Sequence, residues 1–178
     1  MELIHNIIPL EFLNTLPEGI KFINKHGKEF LVIEELYCPK GHGLMVESVK
    51  IHGEPSIKID VKIGDQQGAF FIDAFWGSHT KLYSFIPKIS KEPVIVEAFC
   101  PTCGESMMVD DQCQLKGCES NRAILFFLPG KKNKIYVCAK LGCPGHRIEI
   151  SRLPHYISEA VSDINFFGAQ AEDIFRGI

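Results

Sequence analysis

What the sequence lacks sets its first limits. No apolar run approaches the roughly 18 residues that a bilayer-crossing helix needs, and the opening Met1-Glu2-Leu3-Ile4-His5 has no basic stretch of the kind that begins a secretory signal. A soluble, cytoplasmic protein without membrane contact is the expectation. Also missing are a G-x-S-x-G elbow, a phosphate loop, a G-x-G-x-x-G fingerprint and an H-E-x-x-H helix. Catalysis therefore has no ready-made constellation. Tryptophan occurs once, at Trp76, and no persuasive helix longer than a couple of turns appears in the first two thirds of the chain. Disorder is not expected either, since 46% of residues are apolar and 23% charged.

What is present is cysteine in pairs. Cys38-Pro39-Lys40-Gly41-His42, Cys100-Pro101-Thr102-Cys103, Cys113-x4-Cys118 and Cys138-x4-Cys143 absorb all seven cysteines and add one histidine. An odd count at x2 and x4 spacing, often beside Gly or Pro, suits thiolates kept reduced for a metal better than a disulfide framework. Zinc takes four thiolate or imidazole ligands tetrahedrally, so four pairs fill two closed sites and predict two zinc ions.

The turn Cys100-Pro101-Thr102-Cys103-Gly104 sets two thiolates on one tight loop. Its partner is Cys38-x3-His42, which follows a strand and shares the Cys-Pro start. The first site is therefore Cys38, His42, Cys100 and Cys103, with the β segment 43–99 looped out between its halves. The other two pairs share the form C-x3-G-C, with Gly117 and Gly142 at positions where a tight loop calls for positive φ. They flank the hairpin Ala123 to Leu128, Pro129-Gly130-Lys131-Lys132-Asn133, Lys134 to Val137, which assigns Cys113, Cys118, Cys138 and Cys143 to the second site. His146 is a ninth candidate for eight places: a replacement ligand, a hydrogen-bond donor to a thiolate, or an ordinary surface histidine.

In its CPxCG turn the chain resembles zinc-ribbon and zinc-knuckle proteins and rubredoxin-type proteins, over about residues 100–150 together with 38–42. The resemblance implies a structural metal and little about activity. A rubredoxin-like iron centre would use two CxxC knuckles, whereas here one half is C-x3-H and the other site uses x4. The first box of a Rieske centre, C-x-H, is missing.

Alternating apolar and polar residues predict a hairpin over Ile20 to Tyr37, with strands at Val46 to Ile51, Ile57 to Ile63, Ala69 to Phe75 and Val94 to Phe99. A short helix is predicted at Pro9 to Asn14. From Pro154 onward, Ile157, Ala160, Val161, Ile164, Phe167, Ala171, Ile174 and Phe175 recur at helical spacing. Gly168 is a point where that helix breaks, and Phe166 falls on its polar side, which calls for a bend at Gly168 or an exposed aromatic anchor. The expected architecture is α+β, mainly β: a β-rich domain over 1–110 with the first zinc site, a zinc-ribbon module over 111–152, and an amphipathic C-terminal helix over 153–178.

Charge is unevenly placed. Residues 116–152 carry eight Lys/Arg against two Asp/Glu, whereas residues 1–115 carry ten against sixteen. Such a basic segment docks on the chain's own acidic part, on a protein partner, or on nucleic acid. For nucleic acid the contacts would be Lys131, Lys132, Lys134, Arg147 and Arg152, with Arg122 and Lys140 nearby and Phe126, Phe127 and Tyr136 as stacking surfaces. Alternation buries at least one of the two phenylalanines.

Two stretches invite a chemical reading. His52-Gly53-Glu54 with Cys100 to Cys103 echoes the H-x-E and P-C-x-x-C boxes of zinc deaminases, but Phe99 replaces the proline and His52 to Pro55 reads as a hairpin turn. Asp73, Trp76, His79 and Thr80 form either a ligand pocket or protein contact, or simply core, rim and turn of the β domain. The expected role is a zinc-stabilised, non-catalytic binding or accessory protein making protein contacts, with nucleic-acid binding as the alternative and a zinc-dependent hydrolase or deaminase behind both.

Overall fold

The computed structural model describes residues 8–25, 27–88 and 90–166, and the expected helix positions from Phe167 onward, Gly168 included, lie outside them. Mainly antiparallel β structure is joined by two short helices, α1 (Leu10–Asn14) and α2 (His155–Ser162). Strands β1 (Ile20–Lys25) and β2 (Lys28–Ile33) pair as a hairpin. A five-stranded sheet follows, built from β3 (Met45–Ile51), β4 (Glu54–Ile63), β5 (Gln66–Ile72), β6 (Lys81–Tyr83) and β7 (Glu97–Phe99). Its spine is β4, which pairs with β5 on one side and with β3 and then β7 on the other. Along β4, Ile57, Ile59, Val61 and Ile63 are buried while Lys58, Asp60 and Lys62 turn the other way, the two-residue period of a half-buried strand. Each such side chain contributes about 1.5–3 kcal/mol of burial.

The second sheet has the order β11-β10-β9-β8, from β8 (Met108–Asp110), β9 (Arg122–Phe127), β10 (Lys134–Cys138) and β11 (His146–Glu149). One apolar cluster runs from Phe12 and the β2 residues Phe30 to Ile33, through Ile59 and Phe75, to Phe126, Ile148, Val161 and Phe166. The two sheets and α2 thus share a core.

Several expected elements differ in extent: β4 begins at Glu54 rather than Ile57, so the turn is His52-Gly53 alone, and β5 begins at Gln66 rather than Ala69. Strand β5 stops at Ile72 rather than Phe75, because the Asp73 carboxylate accepts the Phe75 amide (3.1 Å) and bends the chain toward β2. There Ile33 donates to the Ala74 carbonyl and Trp76 to the Leu31 carbonyl. In the segment expected as a strand from Val94, residues 94–96 pair across to 139–141 (Val96 to Ala139 and Leu141 to Val94, both 2.8 Å), and only Glu97 to Phe99 join β4.

The C-terminal helix begins after Pro154 as expected but ends at Ser162. In its last turn and beyond, the backbone turns to partners outside the helix: the Val161 carbonyl accepts the Trp76 indole N–H, the Ile164 carbonyl meets His146 Nε2, and the Phe166 amide donates to the Gly77 carbonyl. Phe166 is no exposed anchor. It is 7% exposed, with its ring 6.1 Å from that of Phe30.

Helix α2 also shields a sheet edge. Ser158 and Ser162, one turn apart, accept the outward amides of Ile150 (3.4 Å) and Ile148 (2.9 Å) at the open side of β11. These are the groups that would otherwise template another strand.

Candidate metal centres

Cys38 lies after β2, held by its amide bonded to the His42 carbonyl (3.0 Å) and by the Gly41 amide on its own carbonyl (2.9 Å). Cys100 follows β7, with the matching turn closed by Gly104 N–H to the Cys100 carbonyl (2.9 Å). The two ends of the five-stranded sheet thereby deliver four donors to one point: one ligand atom from each of Cys38, His42, Cys100 and Cys103 lies within 4.8 Å of all the others. The same holds for Cys113, Cys118, Cys138 and Cys143, where Cys138 closes β10 and Cys113 follows β8.

The spacings test the fit to a metal. Four sulfurs about 2.3 Å from a tetrahedral ion stand about 3.8 Å apart. Cys38 to Cys103 is 3.9 Å, Cys113 to Cys143 is 3.8 Å and Cys118 to Cys138 is 3.8 Å. A disulfide would need about 2.05 Å, and all seven cysteines are free. A sulfur and a nitrogen on such an ion stand about 3.6 Å apart, and Cys38 Sγ is 3.5 Å from His42 Nδ1, which marks Nδ1 as the donor atom. Both clusters can hold metal ions.

Backbone amides point at the sulfurs in both places: His42 N–H at Cys38 (3.4 Å), Thr102 N–H at Cys100 (3.4 Å) and Gly145 N–H at Cys143 (3.4 Å). Gly117 and Gly142 have φ of +90° and +83°, with open space where a β-carbon would stand, so it is backbone conformation rather than crowding that asks for glycine. Neither cluster is electrostatically uniform: burial raises the Cys100 thiol in the first, and at Cys118 in the second burial is outweighed by hydrogen bonds from the Ser120 amide and the neighbouring cysteines. At Cys38 burial pushes the thiol up, but the His42 amide and ring and the Lys40 amide outweigh it and bring it down to about 6. At Cys113 burial wins and the thiol is pushed up to about 11, and Cys143 moves the same way.

His146 is not among the ligands. The turn at Gly145 carries its ring past the cluster, where Nδ1 meets the Pro144 carbonyl (3.1 Å) and Nε2 the Ile164 carbonyl (2.8 Å). Burial pulls the ring toward neutrality against those two acceptors. His52 lies at neither centre. It stands with Gly53 in the two-residue β3–β4 turn, both at positive φ, and bonds Asp73 Oδ2 at 2.7 Å. The two halves of the deaminase-like pattern are thus not brought together.

The Trp76 stretch is core. Trp76 is 7% exposed, its indole N–H donates to the Val161 carbonyl (2.7 Å), and His79 Nε2 meets Asn165 Oδ1 at 2.7 Å. The adjoining cavity, lined by Asp73, Ser78, His79, Lys81, Cys143 and His146, is about 60 Å³, room for a water or two rather than for a ligand of ordinary size.

Much of the basic segment is occupied within the chain. Arg147 holds Asp111 (2.7 Å) and Glu149 (2.6 Å) and lies over the Tyr136 ring, and Arg122 holds Asp110 at 2.6 Å. Lys131 donates to the Pro39 carbonyl at 2.8 Å, tying the hairpin tip to the first knuckle, and Lys134 lies over Phe127. Phe126 is buried, while Lys132 and Arg152 are exposed. Among the described residues no helix is long and apolar enough to cross a membrane. Compared with protein-family models, curated proteins and solved structures, the chain finds no match, which leaves the ligand geometry as the ground for assignment.

Proposed function

We propose that this protein is a zinc-stabilised, non-catalytic binding or accessory subunit that works in the cytoplasm through contacts with another protein. The observation that carries the reading is closure of both ligand sets. Each offers four donors to an ion that takes four, so no position is left for an activated water or a substrate. Thiolate-rich donor sets favour zinc over magnesium or calcium, and a zinc-ribbon-type plan for residues 111–152 accords with the paired C-x3-G-C loops. In such sites metal binding is folding free energy.

A protein contact is favoured by what the fold leaves outside. Trp76 and the apolar face of α2 are consumed by the core, and the hairpin tip is tied down. Leu82, Tyr83 and Ile86 remain 46%, 43% and 89% exposed on and just after β6, an edge strand hydrogen-bonded only to β5 among the described residues. Apolar side chains on an open edge are what a partner strand or apolar partner surface reads.

The test is identification of what co-purifies with natively tagged protein, eluted first at low and then at high salt. A stoichiometric protein retained at high salt and lost on Ile86→Asp is the expected result. Nucleic acid released by salt would favour the alternative reading through Lys132, Lys134 and Arg152. Metal analysis showing fewer than two zinc ions per chain, with one carrying an exchangeable water, would overturn the non-catalytic assignment.

A further inference from the structure

The two cysteine clusters are unequally shielded. In the first, Cys38 and Cys100 are 0% and 1% exposed, and Cys103 alone of its three cysteines is half-buried. In the second, Cys113 and Cys118 on the loop after β8 are both half-buried, whereas Cys138 and Cys143 are buried. Each half-buried sulfur stands 3.8 Å from a buried one on the opposite loop, Cys113 from Cys143 and Cys118 from Cys138. Thiolates that oxidise readily are the accessible ones, and those backed by a second cysteine end as disulfides. The second cluster presents that arrangement twice.

It also has an approach. A cavity of about 430 Å³ is lined by Cys113 and Cys138 together with residues of β10, β11 and the segment after α2. Gly145 lines it too and puts no side chain against the Cys113 sulfur, which lies 2.5 Å from where a β-carbon would stand. That space is in the range of small-molecule sites and readily admits a small hydroperoxide.

We propose that the four-cysteine cluster is a thiol-oxidation site for hydroperoxides, at which two disulfides, Cys113 to Cys143 and Cys118 to Cys138, replace a metal ion as the link between the two loops. This rests on the reading that the cluster holds zinc. The Cys113 thiolate attacks the terminal oxygen of the hydroperoxide: the S–O bond forms, the O–O bond breaks, and the departing alkoxide takes a proton from solvent. The Cys143 thiolate then attacks the sulfenic sulfur, so that the S–S bond forms, the S–O bond breaks, and hydroxide leaves and is protonated to water. Two thiolates have given two electrons to one hydroperoxide, and the products are one disulfide, one alcohol and one water. A second hydroperoxide consumes Cys118 and Cys138 in the same way. The oxidised site no longer binds metal, because the thiolate is the ligand. Both new bonds cross from the 113–118 loop to the 138–143 loop, so the two loops stay fastened. The first cluster cannot follow this course: Cys38 and Cys103 stand 3.9 Å apart, but pairing them leaves Cys100 without a partner, and His42 forms no disulfide.

Zinc-loaded full-length protein is treated with hydrogen peroxide while released zinc is followed with a chromogenic chelator, and the cysteines are then alkylated and mapped by mass spectrometry. The expected result is loss of one of the two zinc ions after two peroxides per chain, the stoichiometry of the steps above. Linked peptides should join Cys113 to Cys143 and Cys118 to Cys138, with Cys38, Cys100 and Cys103 still open to alkylation once the protein is denatured. Release of both ions together, or of the first cluster's ion before the second's, overturns the proposal. So do links confined to one loop, Cys113 to Cys118 or Cys138 to Cys143, and oxidation to sulfinic acid without disulfides. A parent chain that carries no zinc would instead remove the metal reading itself, and this proposal with it.

Discussion

Gly145 backs directly onto Cys113: a β-carbon at position 145 would stand 2.5 Å from the Cys113 sulfur and 3.4 Å from that of Cys143. Since the amide of the same residue points at Cys143 and its carbonyl accepts the Cys138 amide (2.9 Å), Gly145 is packed among three of the four cysteines of the second cluster. Gly145→Ala is therefore expected to push Cys113 out of tetrahedral spacing, at the about 1–3 kcal/mol typical of overpacking. Metal analysis should show loss from the second centre with the first retained. Two fully occupied centres in the variant would mean the loop gives way freely and the close approach is incidental.

His79 gives stability a pH dependence whose sign is fixed by its burial. Its ring, ordinarily titrating near 6.5, is pulled down to about 4 by desolvation, with His146 and Lys81 acting in the same direction against the hydrogen bond to Asn165. Between those values the unfolded chain binds a proton that the folded chain does not. Stability is thus fully present above about pH 6.5 and declines as pH falls toward 4, by on the order of 3 kcal/mol. Urea unfolding of the metal-loaded protein between pH 8 and 5 should show this slope, and His79→Gln should flatten it. An unchanged slope in the variant would assign the acid sensitivity to other groups, His146 and the thiolates first.

The serines of α2 carry a burden that no propensity scale assigns them. Ser158 and Ser162 accept the amides of Ile150 and Ile148, and Ser162 also donates to the Ser158 carbonyl at 2.7 Å. Replacing either by alanine leaves an amide of β11, or of the residue just after it, without its partner and is expected to cost about 1–3 kcal/mol. Because the two residues belong to one network, the double variant should lose less than the sum of the singles. Hydrogen exchange provides the site-specific check, since protection should fall at Ile148 for Ser162→Ala and at Ile150 for Ser158→Ala. Protection preserved at both amides would show that the helix covers the edge without these bonds.

The parts that sequence made legible are those encoded by spacing. Cysteine pairs with fixed intervals, Gly117 and Gly142 in their loops, and the alternation along β4 each signal locally what the chain does there. Strands β6, β8 and β11, three or four residues long, carry too few alternations to be distinguished, and their pairing is decided by the neighbour rather than by themselves. Helical periodicity continued past Ser162 in the sequence, yet the chain leaves the helix where Trp76, Gly77 and His146 supply other partners for its backbone. The basic segment was legible as charge, but its principal partners, Asp110 and Asp111, are set by register between β8, β9 and the β11 edge.

Removing metal should act unequally on the two sheets. The five-stranded sheet has ten-residue β4 at its centre and a continuous row of buried isoleucine and valine, so loss of the first ion loosens its ends at Cys38 and Cys100 while the paired strands persist. The four-stranded sheet is built from strands of three to six residues, and its 113–118 and 138–143 loops are held to each other chiefly through the cysteine cluster. A strong chelator is expected to abolish hydrogen-exchange protection across β9, β10 and β11 first, while amides of β4 and β5 exchange only at the global unfolding limit. Binding free energies of structural zinc, about 10–16 kcal/mol in small peptides, exceed what strands so short can retain without the ion. Re-addition of zinc should restore protection. Simultaneous loss in both sheets would show instead that the shared core around Phe126, Trp76 and Val161 makes the molecule one cooperative unit, in which the metal centres set the stability of every strand together.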